Sequence, residues 1–403
     1  MNILVITDVF PYPLSSGGAQ GMFNIFNKLR QRHNITIFGI LKRGVKDEDV
    51  EILKKKWSDV NIITIPYKEQ LRDWHFFKSR IERAVKLKLF ANKRWFKVER
   101  ILKPYGIELS QNLQNSINKA INDTNPDIIE VNFYPCLGII KMLPTNKPRV
   151  FLHHEIRYIR NNRILESLQL NKKEQAQAEM LKKEEIELLN KYDTVITVTD
   201  KDKEVLQNDG VTTKIAVSPS AVNAEEKDYT PWTGRLCYVG GYDHIPNKEG
   251  VEWFLENVYD NSIPLDIIGK GWPQQIQERY NNIIIHGFVE NLAEAVKGHI
   301  MIIPLLTGSG MRMKILDAAA MSIPFITTTV GVEGLDFKNG ESCLIADNAE
   351  QFKNAIEILK NDSALQEKLA KNAKAVYHDK YSPEKLAIIR KNIYKNTLAE
   401  VKL

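Results

Sequence analysis

The stretch that decides the fold runs NILVITD (2–8), PYPLSSGGAQ (11–20), GMFNIFNKLRQR (21–32), NITIFGI (34–40). Ile3-Leu4-Val5-Ile6 is an apolar run of strand length, and it stops at Thr7-Asp8. A glycine-containing loop follows. From Gly21 the apolar residues fall at helical spacing, and Asn34–Ile40 reads as a second strand. Strand, loop, helix, strand is one βαβ unit of a parallel sheet.

The same alternation continues outward. Residues 60–66, 127–131, 149–153 and 194–198 read as further strands with helical patterns between them. The longest helical pattern, 164–191, is rich in Glu and Lys and reads as a mostly solvated helix. SPSAVNAEEKDYTPWTG (218–234) breaks the pattern with two prolines and little apolar periodicity, as a linker does. A second series then begins, with strands at 236–239, 265–268, 283–286, 300–304, 325–328 and 343–346. Helices are expected at 248–257, 291–297, 311–321, 349–361 and 364–378, and a last one at 383–401. The expected fold class is α/β, with two facing Rossmann-like doubly wound parallel-sheet domains and an interdomain cleft. The expected boundaries are 1–220, 221–382 and a C-terminal helix at 383–403.

Bulk properties agree with this. At 403 residues the chain is too long for one core, and 43% hydrophobic with 26% charged residues is ordinary for a globular protein. A net charge of +6 is too small to argue for nucleic acid by itself. Cys136, Cys237 and Cys343 share no metal-ligand or redox spacing, so they read as reduced packing thiols. The N-terminus lacks the pattern of a secretory signal, and no apolar run reaches the length of a membrane span. A cytoplasmic location is expected, or a peripheral one on the inner face of a membrane.

Several strand exits carry residues suited to chemistry. Gly17 and Gly18 precede a helix whose first N–H groups suit a phosphate or sugar hydroxyl; a tight turn needing glycine is the plainer reading. At Phe151-Leu152-His153-His154-Glu155, adjacent histidines point to opposite faces of the strand, so at most one faces a ligand. The pair has no metal-ligand spacing, and no metal is expected. Gly240 and Gly241 repeat the glycine turn after the first strand of the second half, with Asn247 as a helix cap and Lys248 just inside it. The most informative segment is PLLTGSGMRMKILDAAAM (304–321). Gly308, Ser309 and Gly310 clear the way to a helix start, where Met311, Arg312 and Lys314 follow. Lys314 or Arg312 suits a departing diphosphate, and Asp317, one turn beyond Lys314, suits a ribose diol. The plainer reading is a surface Lys–Asp pair behind a glycine turn. The hydroxyls of Thr327, Thr328 and Thr329 lie at a neighbouring strand exit.

These pieces in this order resemble glycosyltransferase family 4, the retaining sugar-nucleotide transferases of the GT-B fold. The likeness covers nearly the whole chain and is strongest from Leu236 to Tyr381, in YVGGYDHIPNKEGVEWF, LDIIGKG, IIIHGFVENL and IPLLTGSGMRMKILDAAAMSIPFITTTVGVEGL. It implies a nucleotide-diphosphate sugar on the second domain, an acceptor on the first and no further cofactor. It implies that Gly18, with Gly17 beside it in the substrate-binding loop, approaches donor phosphates or acceptor by its own position, and that His153, favoured over His154, sits near the transferred sugar. Lys314 would meet the phosphates, Gly310 would offer backbone contacts, Asp317 would hold the ribose, and Gly287 and Phe288 would lie near the base. Gly240, Gly241, Lys248, Gly308, Ser309 and Met311 complete the implied donor site. The last helix would cross back onto the first domain. The chain departs from the family in having Asp317 where Glu is usual and Ser309 where many members have an acid, and Gly241 stands where an arginine is common.

The activity implied is transfer of a hexose with retention to a glycan or lipid-linked acceptor, in surface polysaccharide synthesis. The competing readings are a sugar-nucleotide epimerase or trehalose-phosphate-type synthase of similar fold, a catalytically silent sugar-nucleotide-binding subunit, and a solute-binding protein. Between residues 74 and 103, ten basic residues face two acids and interleave with Trp74, Phe76, Phe77, Phe90, Trp95 and Phe96. Such a segment suits an anionic membrane surface, or a solvated helix pair over the acceptor. Nucleic acid is disfavoured, since no recognised binding module accompanies the run.

Overall fold

The computed structural model describes residues 1–14, 16–70, 74–91, 93–103, 109–222, 225–307 and 311–401. The chain forms two compact units, Met1–Ser220 with Leu386–Leu403, and Ala221–Lys385.

The first unit holds β1 (Asn2–Thr7), β2 (Asn34–Ile40), β3 (Asn61–Ile65), β4 (Ile128–Asn132), β5 (Arg149–His153), β6 (Thr194–Thr197) and β7 (Lys214–Val217). They pair in parallel in the order β3-β2-β1-β4-β5-β6-β7. Helices cover both faces of a parallel sheet, so its central strands are apolar on both sides. Ile3, Leu4, Val5 and Ile6 are accordingly all buried. The helix Gly17–Leu29 lays Met22, Ile25, Phe26 and Leu29 along one buried stripe, and Ser16 caps its start by accepting from the Ala19 N–H at 3.2 Å.

The second unit holds β8 (Arg235–Val239), β9 (Leu265–Ile268), β10 (Ile283–Gly287), β11 (His299–Ile303), β12 (Phe325–Thr327) and β13 (Leu344–Ile345), again all parallel, in the order β10-β9-β8-β11-β12-β13. In both sheets the strand order reverses at the first strand, between β1 and β4 and between β8 and β11. Ligands of such sheets bind outside the carboxyl ends of the strands at that reversal. There the helix Ile245–Asn257 approaches β11 closely. A Cβ on Gly250 would lie 2.1 Å from the Pro304 carbonyl oxygen.

Three elements differ from the sequence expectation. The single helix expected over 164–191 is two, Arg157–Leu165 and Lys172–Leu189. Gln169 takes a left-handed conformation at φ 46°, and Asn171 with Glu174 forms a capping box that starts a new helix. A seventh strand, β7, lies within what read as the approach to a linker; it is a short, partly exposed edge strand. Asn247 is not a cap: the helix begins at Ile245, after His244, and the Asn247 side chain points elsewhere.

Candidate functional site

In the second unit, β8 ends at Val239, and Gly240 follows at φ 151°. A Cβ there would lie 2.7 Å from Asn247 Nδ2 and 3.0 Å from Lys314 Nζ, so only glycine leaves this space open. Lys314 lies in the first turn of the helix Met313–Ala320. Its Nζ donates to Tyr238 Oη at 2.7 Å and to Asn247 Oδ1 at 2.7 Å, and sits 4.4 Å from the centre of the Tyr238 ring. Asn247 is oriented for this, because its Nδ2 donates to the Gly241 carbonyl at 2.9 Å. Both acceptors are neutral, and an ammonium has three protons to donate. Among the described residues, Lys314 therefore keeps one donor and its charge for something outside the protein.

Asp317 is one turn further on the same helix. It is half-buried, and among the described residues it has no hydrogen-bond or ion-pair partner. The surface Lys–Asp pair of the plainer reading is not formed. Burial lowers the Lys314 pKa to about 7, against the attraction of Asp317 and with help from Arg312. Burial likewise raises the Asp317 carboxyl to about 7, with Lys314 opposing. A half-sealed cation and a half-sealed anion, neither neutralised internally, make a place for a ligand carrying phosphate and hydroxyl groups.

The other expected donor-site residues are placed as follows. Gly308, Ser309 and Gly310 lie outside the described residues. Arg312 precedes the helix, is buried, and lies 3.9 Å from Glu333. Met311 packs at the margin of the apolar core of this unit. Gly241 sits beside the Lys270 carbonyl. Lys248 lies over the Tyr242 ring at 5.1 Å and 3.9 Å from Glu252, on the exposed side of its helix. Gly287 ends β10 at φ 69°, and the Phe288 ring beyond it is 67% exposed with Lys270 Nζ 4.9 Å from its centre. The threonine hydroxyls are used internally: Thr327 and Thr328 donate to the Ile303 and Leu305 carbonyls, and Thr329 donates to Asp347.

In the first unit the histidine pair divides in the opposite way to the expectation. His153 is 1% exposed, with Nε2 2.9 Å from the buried Glu185. Its place between strand and helix enlists it in the interior. His154 is the half-buried one, stacked on Phe133 at 3.9 Å between centroids. Phe133 also explains Gly18: a Cβ there would lie 2.8 Å from the Phe133 ring, so this glycine admits an aromatic side chain. Gly17 opens the helix behind its Ser16 cap. Tyr238 and Asn247 as partners of Lys314, and Phe133 as partner of His154, were not foreseen. The non-glycine signals in the sequence are an aromatic residue one before the end of β8 and an amide beside Lys248.

Residues 233–362 match the family described as glycosyl transferases group 1, and residues 163–219 match the N-terminal domain of glucosyltransferase 3-like proteins. A curated relative from Klebsiella pneumoniae, an uncharacterized 44.6 kDa protein in the cps region, is 28% identical over 169 residues. That match covers 38% of this chain and 43% of the relative, less than half of either. Sucrose-phosphate synthase from Thermosynechococcus elongatus superposes with a TM-score of 0.69 over 99% of both chains at 13% identity. The Anabaena protein HepE, solved in complex with UDP, gives 0.64 over 99% of this chain and 100% of its own at 12% identity. Residues 233–362 are therefore a glycosyl transferases group 1 domain, in a chain whose two parallel-sheet units have the GT-B fold.

Proposed function

We propose that the protein is a retaining glycosyltransferase that moves a hexose from a nucleotide-diphosphate sugar to a hydroxyl of a glycan or lipid-linked acceptor, in surface polysaccharide synthesis. The observation that carries this is the seat of Lys314. A half-buried ammonium is held by two neutral acceptors, with a carboxylate on the same helix that has no partner among the described residues, at the carboxyl ends of β8 and β11. The diphosphate accepts a hydrogen bond from the third N–H of Lys314, the ribose diol donates to Asp317, and Phe288 offers a ring to the base. In the reaction the bond from the anomeric carbon to the diphosphate breaks as the acceptor oxygen bonds to the same face. The acceptor proton leaves on a phosphate oxygen, and Lys314 stabilises the charge that grows there. HepE has been solved with UDP-glucose, and the Klebsiella relative comes from a cps region, which supports a nucleotide sugar and a polysaccharide product. A panel of nucleotide sugars, scored for release of free nucleotide diphosphate, tests the reading. One donor is expected to support turnover; binding without turnover would assign a silent sugar-nucleotide-binding subunit instead.

The acceptor's chemistry is suggested by the helix Trp74–Phe90. Trp74, Phe77, Ile81, Val85 and Leu89 form a stripe at helical spacing, all exposed, with Trp74 at 68% and Leu89 at 62%. Residues 81–85 are exposed on every side. Ten basic residues against two acids give 74–103 a charge of +8, more than the +6 of the whole chain. An apolar stripe flanked by that charge suits an anionic lipid surface, at about 1 kcal/mol per basic residue near it. No helix among the described residues is long and apolar enough to cross a membrane. Co-sedimentation with phosphatidylserine vesicles, weakening as salt is raised, is expected, with no binding to phosphatidylcholine alone. Equal binding to both, or to neither, removes the lipid surface.

A further inference from the structure

A hydrogen-bond chain runs to the carboxyl ends of β4 and β5 from the helix Pro383–Val401. Arg390 Nη1 donates to Glu130 Oε2 at 2.9 Å, and its Nε and Nη2 donate to Ser218 Oγ at 3.2 Å. Tyr394 Oη donates to the same Glu130 oxygen. The other oxygen, Oε1, accepts from Asn132 Nδ2 at 2.7 Å. Asn132 Oδ1 lies 3.3 Å from His154 Nε2. Arg390, Glu130, Tyr394, Asn132 and Ser218 are all buried.

Each link fixes the next. A carboxylate paired with a guanidinium offers only acceptors. Asn132 must then turn its NH2 to Glu130 and its carbonyl to His154. A carbonyl oxygen only accepts, so His154 Nε2 carries hydrogen. The ring is neutral: burial, then Arg390 and His153 nearby, lower its pKa from 6.5 to about 3. A neutral imidazole has one N–H, which leaves a lone pair on Nδ1. Among the described residues nothing hydrogen-bonds to Nδ1. The flat stack on Phe133, 3° between planes, holds the ring against rotation. Phe133 adopts φ 66°, a conformation unusual for a side chain of that size, to lie there.

We propose that Asn132, Glu130 and Arg390 are positioning residues that lock His154 as its Nε2–H tautomer, so that the Nδ1 lone pair accepts a hydrogen bond from a carbohydrate hydroxyl. A strand-end histidine read from sequence alone would as readily donate to a phosphate; this arrangement selects against that. The hydroxyl part rests on the glycosyltransferase reading, and the tautomer does not.

The test begins on the free protein. Selective nitrogen-15 labelling of the eight histidines, with His154 assigned by the signal lost in H154Q, reads the tautomer directly. The expected spectrum has a pyridine-like Nδ1 and a pyrrole-like Nε2, unchanged from about pH 8 to about pH 5. Asn132→Ala is expected to let the ring exchange between tautomers or titrate. A wild-type Nδ1–H tautomer, wild-type titration near the ordinary histidine value, or an unchanged spectrum in Asn132→Ala overturns the lock. The hydroxyl is tested with His154→Ala, by UDP release from UDP-glucose with and without an alkyl glucoside acceptor. A loss of about tenfold or more is expected. Loss in both assays places the hydroxyl on the donor sugar, and loss only with acceptor places it on the acceptor. No loss in either overturns the role. A wild-type chain that turns over no nucleotide sugar counts against the glycosyltransferase reading, while the tautomer is decided separately.

Discussion

Lys314 sits where a stability-driven core would not put an ammonium. Its pKa falls to about 7 in the folded chain from 10.5. The unfolded chain keeps this proton up to about 10.5, so stability from this group rises with pH between about 7 and 10.5, and below 7 the buried charge is a constant penalty. Lys314→Met removes the charge and keeps the apolar stem. At pH 7 its melting temperature is expected to equal or exceed that of the wild type, while turnover falls about a hundredfold or more. A melting temperature several degrees lower would make the lysine structural. The paired shifts also give binding a sign. On the proposed function, a diphosphate would favour charged Lys314 and a ribose diol charged Asp317. Near pH 8 Asp317 is already ionised, so binding of a nucleotide-diphosphate sugar is expected to take up a proton through Lys314. Near pH 6 Lys314 is already charged, so the same binding is expected to release one through Asp317. Calorimetry in buffers of different ionisation enthalpy checks the reversal. The lysine and aspartate were legible in sequence because they lie one turn apart. Their setting was not, because Tyr238 and Asn247 lie 76 and 67 residues away, and only the sheet brings them in.

At the scale of elements, the helix Pro383–Val401 is fastened by polar side chains as well as apolar ones. Arg390, Tyr394 and Thr397 are buried, and Thr397 Oγ1 meets Thr194 Oγ1 at 2.8 Å. Arg390→Ala leaves Glu130 in the interior with its charge unanswered, which costs about 3–5 kcal/mol. A urea titration of that variant is expected to show the loss, and a change below about 1 kcal/mol would mean that water replaces the guanidinium at Glu130. Periodicity placed this helix, because period and length are local properties. It could not show which of its faces carries a buried arginine, since the answering carboxylate is 260 residues away. The break at Gln169 escaped for a related reason: Leu165 and Glu166 before it and Lys172, Lys173 and Glu174 after it have good helix propensity, and the interruption rests on one backbone conformation.

Across the whole molecule the alternation of strands and helices made the parallel sheets legible. Strand order was not written in any one segment, and β7 escaped because Ile215 alone of its four residues is buried. The chain passes from one unit to the other near Ser220 and back near Lys385. Truncation after Lys385 is expected to abolish the calorimetric transition of the first unit and to preserve that of residues 221–385. Two preserved transitions would show that the last helix is dispensable to the first sheet.

That double passage bears on how the chain is made. A ribosome delivers β1 to β7 long before it delivers Arg390 and Tyr394, and the intervening 221–385 can settle into its own fold first. Glu130 meanwhile waits in a nascent sheet for a guanidinium not yet translated. The half begun earliest is thus finished last, and in that interval the surface that Leu386, Arg390 and Tyr394 come to cover stays open to water.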